Sequence, residues 1–436
     1  MNKIAFEAGE RQEETVSAFL MLVLEYATEI GLFSLLERLL HVTMKTVVYS
    51  PLYKAQTVIA SLVLGCAHTK AINETLGEEV AAANYLGMQR FPDQSQINRY
   101  LTRFTEANVH ELGAVQTRVL RQQSQARRTA GLLVVDIDQC GVVANGKTYE
   151  LHRKGYFPRK RGEEGYQVSL AYIGAYEEAI QVYLDPGNAH CTHRLADLLR
   201  DVDRLFGPED TAIALIRRLD AGYDSAAHRE LLAGLPGYVV LKGASSALAR
   251  RLAQRVPVQG WLPVADDVHG VEVSPDESGL RRLVYELHQA DGTVDYALLY
   301  TTLPVATWSM GQLFAFYNER TTIEAFISAS RHVYNIQNLR SRKFHAIYAF
   351  LRFVVLTHNL LHWAKQAHLA QTDLRTATTR QLVGYVARVR AHIRWDGRWH
   401  IRILPSSRWA TLLIAALTQP PRPVQLPLPF ACMHKT

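Results

Sequence analysis

At Gly131 the chain changes texture: a β-branched apolar run, Leu132-Leu133-Val134-Val135, leads straight into Asp136-Ile137-Asp138. The run predicts a buried strand ending in acids, and strand alternation puts Asp136 and Asp138 on one face with Ile137 opposite. Carboxylates beside an apolar strand are costly to bury unless a cation or a partner compensates them. The device recurs downstream. Thr211 to Leu219 is a second apolar run, closed by Asp220 and followed by Ala221-Gly222-Tyr223, where the glycine permits a tight strand-to-helix turn. Between the two, Tyr166 to Gly174 and Glu178 to Leu184 read as strands that complete an antiparallel meander. Thr192 to Phe206 reads as a helix with apolar positions at Leu195, Leu198, Leu199, Val202 and Leu205. Tyr238 to Leu241 adds another strand, so the order is strand, strand, strand, helix, strand, helix, strand.

A second constraint is the stretch from Ser309 to Arg331. Ser309 is a plausible N-cap and no proline intervenes, so the spacing predicts one helix. At about 100° per residue, Tyr317, Arg320, Glu324 and Arg331 fall within an arc of about 60°, with Phe316, Ile323, Phe326 and Ile327 on the adjoining face. A carboxylate between two guanidinium groups and a phenol suits metal and phosphate chemistry. Arg320 and Glu324, at i,i+4, also fit an ordinary solvated ion pair.

The flanks differ in character. Residues 1–128 read as all-helical, with helix-like spacing over Ala18 to Leu40, Leu52 to His68 and Ala71 to Leu86. Within them, Asp93 to Phe104 starts after Phe91-Pro92 and carries Gln, Asn and Arg in its first turns, as a helix-turn-helix recognition element does. Residues 129–242 hold the strand series, and 243–305 look β-rich around the turn Asp291-Gly292, with Trp261 a core residue or a base-stacking one. Residues 306–335 carry the glutamate helix. In 336–436, an apolar helix over Phe344 to Leu369 precedes Arg-Trp pairs and a Pro-rich end, Pro420 to Pro429, expected to be extended.

With 436 residues, 48% apolar and 20% charged, the chain is expected to form more than one domain and not to be disordered. Its start lacks a basic segment followed by an apolar core, so no secretory signal is expected. Glu25, Glu29, Glu37 and Arg38 interrupt the apolar stretch from Val16 to Leu40, against a membrane span. Cys66, Cys140, Cys191 and Cys432 form no CxxC pair, which fits a reducing cytoplasm. His190, Cys191 and His193 crowd together without a second ligand pair at zinc-site spacing. The net charge of +7 is unevenly spread: from Arg331 onward Asp373 and Asp396 are the only acids among recurring Lys and Arg. A basic end on a more acidic body is suited to gripping nucleic-acid phosphates. Arg159, Lys160 and Arg161, with Tyr156 and Phe157 nearby, offer further cationic and aromatic contacts.

The spacing Tyr317, two residues, Arg320, three residues, Glu324, six residues, Arg331 resembles the signature of DDE transposases from bacterial insertion sequences, the cut-and-paste superfamily. Arg331 stands where that signature usually has Lys, and Ala221 stands where its second-acid motif usually has Ser. The resemblance implies a ribonuclease H-like catalytic domain of α+β or α/β class with a β-rich insertion. It implies Asp136, Asp220 and Glu324 as catalytic acids binding two Mg²⁺ or Mn²⁺ ions, with Asp138 the alternative first acid. Tyr317, Arg320 and Arg331 would hold DNA phosphates, aided by Arg159, Lys160 and Arg161. The implied activity is metal-dependent cleavage of double-stranded DNA at terminal inverted repeats and strand transfer into target DNA by a dimer in a synaptic complex. A ribonuclease H-like nuclease without strand transfer, or a non-catalytic DNA-binding descendant, are the alternatives.

Overall fold

The structure is a computed structural model and describes residues 4–8, 16–45, 48–128, 131–144, 146–157, 162–207 and 213–418. Arg159, Lys160, Arg161 and the Pro-rich end lie outside those residues. The chain opens with two short strands, β1 (Ile4–Ala8) and β2 (Val16–Ser17). Helices α1 (Ala18–Glu29) and α2 (Leu32–Leu39) follow, bent by 62° at Gly31, whose φ of +71° is readily adopted by glycine. Next come α3 (Pro51–Val63), α4 (Lys70–Thr75), α5 (Val80–Tyr85), α6 (Gln94–Leu101) and α7 (Glu106–Gln123). Ser17, Ser50 and Asp93 cap α1, α3 and α6 by accepting from the third backbone N–H beyond each.

Among the described residues the central sheet has ten strands. Strand β3 (Gly131–Val143) pairs antiparallel with β5 (Glu164–Ile173), which pairs with β4 (Arg153–Lys154) and with β6 (Glu178–Pro186). On its other side β3 pairs in parallel with β7 (Ile213–Leu219), and β7 with β8 (Tyr238–Lys242). The strands of the 243–305 segment do not form a body of their own. They are β9 (Leu262–Ala265), β10 (Val268–Val273), β11 (Arg281–His288) and β12 (Val294–Thr301). Through β12, which pairs with β8, they continue the same sheet. Trp261 is half-buried against the main core.

Helix α8 (Leu195–Phe206) precedes β7, while α9 (Ala226–Ala233) and α10 (Ser246–Ala253) flank β8. After the sheet come α11 (Met310–Asn318), α12 (Thr321–His332) and the long α13 (Phe344–His368). Helix α13 is long and apolar enough to cross a membrane, but here it is buried against α1, α3, α6 and α7 on one side and β6 on the other. Asn359 fixes it to β6 by donating to the Ala179 carbonyl and accepting from the Ala179 N–H, both at 2.8 Å.

Helix α14 (Thr379–Gly384), the hairpin of β13 (Arg390–Trp395) and β14 (Trp399–Ile403), and α15 (Arg408–Thr418) complete the described chain. Here the expectation of an all-helical 1–128 is corrected. Strand β1 pairs in parallel with β14, and β2 antiparallel with β13, so among the described residues early and late segments build one four-stranded sheet. The N-terminal helices and the C-terminal region therefore share a core. A second, smaller core seats α11 on the sheet through Leu313, Phe316, Ile216, Val240 and Leu283.

Candidate active site

Strand β3 does not stop at its acids. It continues to Val143, so Asp136 and Asp138 sit within the strand and their surroundings are set by neighbouring strands rather than by solvent at a strand end. Asp136 lies directly across from Arg218 on β7. The pairing is bidentate: Arg218 Nε donates to Oδ1 at 2.6 Å and Nη2 to Oδ2 at 2.9 Å, with both side chains almost wholly buried. The remaining Arg218 nitrogen, Nη1, donates to the Phe316 carbonyl, and the guanidinium lies over the Phe316 ring, 4.9 Å from its centroid.

That carbonyl matters to the helix above it. Ser309 does cap a helix, in a capping box with Gln312, but the expected single helix to Arg331 is two, interrupted at Glu319 and Arg320. In a continuous α-helix the Arg320 N–H would donate to the Phe316 carbonyl. It donates instead to Tyr317 at 3.3 Å, a tighter turn, while Arg218 holds the Phe316 oxygen. A stripe drawn at a constant angle from Tyr317 to Arg331 therefore does not exist.

The break sends the Arg320 side chain down among carboxylates. Its Nη2 is 2.9 Å from Asp138 Oδ2, its Nη1 3.7 Å from Asp220 Oδ1, and its Nε 4.0 Å from Asp136 Oδ1. Asp220 sits just past β7, where its Oδ1 accepts from the Ala221 N–H at 2.6 Å and from the Tyr317 hydroxyl at 3.5 Å. Arg320 Nη1 also donates to that hydroxyl at 3.4 Å. Burial pushes the Asp138 carboxyl up to about 6; Arg320 works against the rise, and the charges of Asp220 and Glu324 add to it. Glu324 itself is exposed on the first turn of α12. Ile323, Phe326 and Ile327 anchor that helix, with Phe326 stacked on Tyr172 at 4.9 Å between centroids.

The two first-acid candidates have different surroundings. Both oxygens of Asp136 are engaged by Arg218, whereas Asp138 faces Arg320 and feels Asp220 and Glu324. Arg331 lies further along β3, where it donates to the Gly141 carbonyl at 3.4 Å, rather than with Arg320. His190 Nδ1 meets Thr192 Oγ1 at 3.0 Å and Cys191 Sγ at 3.5 Å, Cys191 Sγ donates to the Gly222 carbonyl, and His193 faces Asp185, so the three do not converge on one point.

Among the described residues no three His, Cys, Asp or Glu side chains are drawn together tightly enough to form a finished metal site. The donor chemistry nevertheless fits a hard divalent cation. Asp138, Asp220 and Glu324 offer only carboxylate oxygens, and the charge set between Asp138 and Asp220 is a guanidinium. Asp136 does not fit as a ligand while Arg218 holds it.

Two residues with roles here escape a reading of spacing alone. Arg218 carries the helix break, and Thr322, on the first turn of α12, has its hydroxyl 3.5 Å from Asp136 Oδ2. Arg218 did leave a signal: Arg217-Arg218 stands inside an apolar strand, where each guanidinium needs a partner. Arg217 finds Asp203 and the Pro236 carbonyl.

Residues 13–419 match a family model described as transposase DDE domain group 1. A comparison with curated proteins finds no match. Among solved structures, the chain is similar to a piggyBac transposase synaptic complex with hairpin DNA, at 10% identity and a TM-score of 0.39, covering 93% of this chain and 84% of that one. It is also similar to the Mos1 mariner paired-end complex with Mn, at 16% identity and a TM-score of 0.17, covering 45% and 60%.

Proposed function

Because the chain belongs to the transposase DDE domain group 1 family, we propose that it cuts double-stranded DNA at the ends of a mobile element and joins the freed 3′ ends to target DNA. Asp138, Asp220 and Glu324 are the acids of this reading. The observation that carries it is Arg320, drawn between Asp138 on β3 and Asp220 after β7, with Glu324 one helical turn beyond. The strand sequence β6-β5-β3-β7-β8, antiparallel in its first pairings and parallel in its last two, supports a ribonuclease H-like core.

Divalent metals are generally used by this family, and Asp138, Asp220 and Glu324 would hold two Mg²⁺ or Mn²⁺ ions. Such ions, when bound, lower the pKa of the attacking hydroxyl and stabilise the leaving oxygen of an in-line displacement. The chain's own groups position the DNA. Arg320 exchanges its carboxylates for a backbone phosphate, for which its planar fork is suited. Burial holds the Tyr317 phenol up to about 12, so it stays protonated and donates a hydrogen bond to a phosphate oxygen. The basic C-terminal region adds phosphate contacts, and joining two ends assigns the work to a dimer.

The test is a labelled duplex bearing the terminal sequence of the protein's own element, incubated with Mg²⁺ or with EDTA. Metal-dependent nicked and joined products, lost in Asp138→Asn and in Glu324→Ala, are expected. Cleavage without joining would reassign the protein as a nuclease. Cleavage that survives both substitutions would overturn the acid assignment.

A further inference from the structure

We infer that the buried Asp136–Arg218 pair is a positioning device that breaks the helix over the site and thereby sets Arg320 and Glu324 at working positions. The inference rests on the acid assignment proposed above and goes beyond it, because neither residue is placed on DNA or metal. Three observations converge. The two residues are register neighbours on parallel strands, locked by two hydrogen bonds of 2.6 and 2.9 Å in a wholly buried setting, so the guanidinium has a fixed orientation. Its third nitrogen takes the Phe316 carbonyl, the acceptor that Arg320 would need to continue α11. On the far side of the break, the Thr322 hydroxyl reaches Asp136 Oδ2 at 3.5 Å. One ion pair therefore touches the last turn of α11 and the first turn of α12.

The chemistry explains why a buried arginine is used. A guanidinium can satisfy a carboxylate with two donors and still present another to a carbonyl, which the point charge of a lysine does less well. Without that donor, the Phe316 carbonyl regains the Arg320 N–H, α11 runs on, and each residue from Arg320 onward is turned and shifted relative to the acids of β3 and β7. Glu324 and Arg320 move together, so the effect falls chiefly on chemistry and metal use, with a smaller loss from the one phosphate contact of Arg320.

The experiment compares Arg218→Lys, Arg218→Met and Asp136→Asn with wild type, on the element-end duplex, by cleavage rate at saturating DNA, KM for DNA and the Mg²⁺ concentration for half-maximal rate. Amide hydrogen exchange is followed across residues 316–324. The expected result for Arg218→Lys is a rate lowered at least tenfold and a raised Mg²⁺ requirement. Its KM should rise by a smaller factor than the rate falls, and protection at the Arg320 amide should increase. Arg218→Met and Asp136→Asn should shift the same quantities further if they fold, and loss of folding in those two leaves the lysine variant to decide. Unchanged rate and metal requirement in Arg218→Lys, or an unaltered exchange pattern at Arg320, overturns the inference. Asp138→Asn is run alongside: if it remains active, the acid assignment has failed, whereas an inactive Asp138→Asn beside a fully active Arg218→Lys refutes the positioning role alone.

Discussion

Asp138 Oδ2 and Arg320 Nη2 meet at 2.9 Å, in a space the same guanidinium shares with Asp220. A side chain from the break between two helices thus neutralises one acid on a strand and another just past a strand, and its removal should be felt in the metal-free protein first. In Arg320→Ala the acids repel one another without compensation, so its thermal midpoint in EDTA should fall below that of wild type. Added Mg²⁺ should then raise the midpoint more in the variant than in wild type, since a ligand that binds only the folded state stabilises it by mass action. Differential scanning calorimetry with and without Mg²⁺ checks this, and an equal metal-induced shift in both proteins refutes it.

The two aspartates of β3 should fail in different ways. Asp138→Asn should fold normally and lose cleavage by a factor of about 10³ or more, as expected when an electrostatic centre of a phosphoryl-transfer site is removed. Asp136→Asn leaves Arg218 buried with a weakened partner, and breaking a buried pair costs about 3–5 kcal/mol. Its mark is therefore a clear drop in urea resistance together with residual cleavage. Denaturation curves and single-turnover assays on both variants separate the two cases.

The raised Asp138 carboxyl makes a signed prediction about pH. A folded-state value near 6, above the ordinary aspartate value of 3.8, means that the folded protein holds this proton more tightly than the unfolded chain. The associated stability is fully present below about pH 4 and is lost as pH rises through about 6. Asn cannot ionise, so in EDTA the Asp138→Asn variant should exceed wild type in thermal midpoint at pH 7.5, with the gain vanishing near pH 4. A constant difference across that range would contradict the assignment of the raised value to this residue.

Helix α12 is held from beneath by Phe326, stacked on Tyr172 with rings inclined by 11°. Phe326→Ala should cost about 3–5 kcal/mol of folding stability, the usual range for deleting a buried phenyl ring. Phe326→Leu should cost much less. Equilibrium unfolding followed by tryptophan fluorescence measures both.

Much of this site can be read from the order of residues, and the remainder has identifiable physical reasons for being hidden. The acids after apolar runs, the Ser309 cap and the Glu324 helix are local patterns, and local patterns are what spacing records. The break at Arg320 is not local: its cause, Arg218, is 98 residues from the carbonyl it takes. Asp136 and Asp138 occupy the same face of one strand, so alternation alone cannot rank them; only the neighbour across the sheet distinguishes them. In the same way, β12 joins β8 through a pairing that no turn signal encodes. The two short strands before α1 are not readable from spacing because their partners, β14 and β13, come late in the described chain, Ile4 pairing with Trp399 and Ser17 with Arg390.

Helix α13 also sets a timetable. Helices α1, α3, α6 and α7 leave the ribosome long before Phe344–His368, the segment against which they pack. Until then the faces that pack on α13 have no permanent cover, and folding waits on contacts between residues far apart in the chain, a slow and aggregation-exposed route. A nascent chain truncated before Phe344 therefore lacks the centre of its own N-terminal half. Completion of the helical body is tied to synthesis of α13, and a product truncated before it is left with an unfinished core.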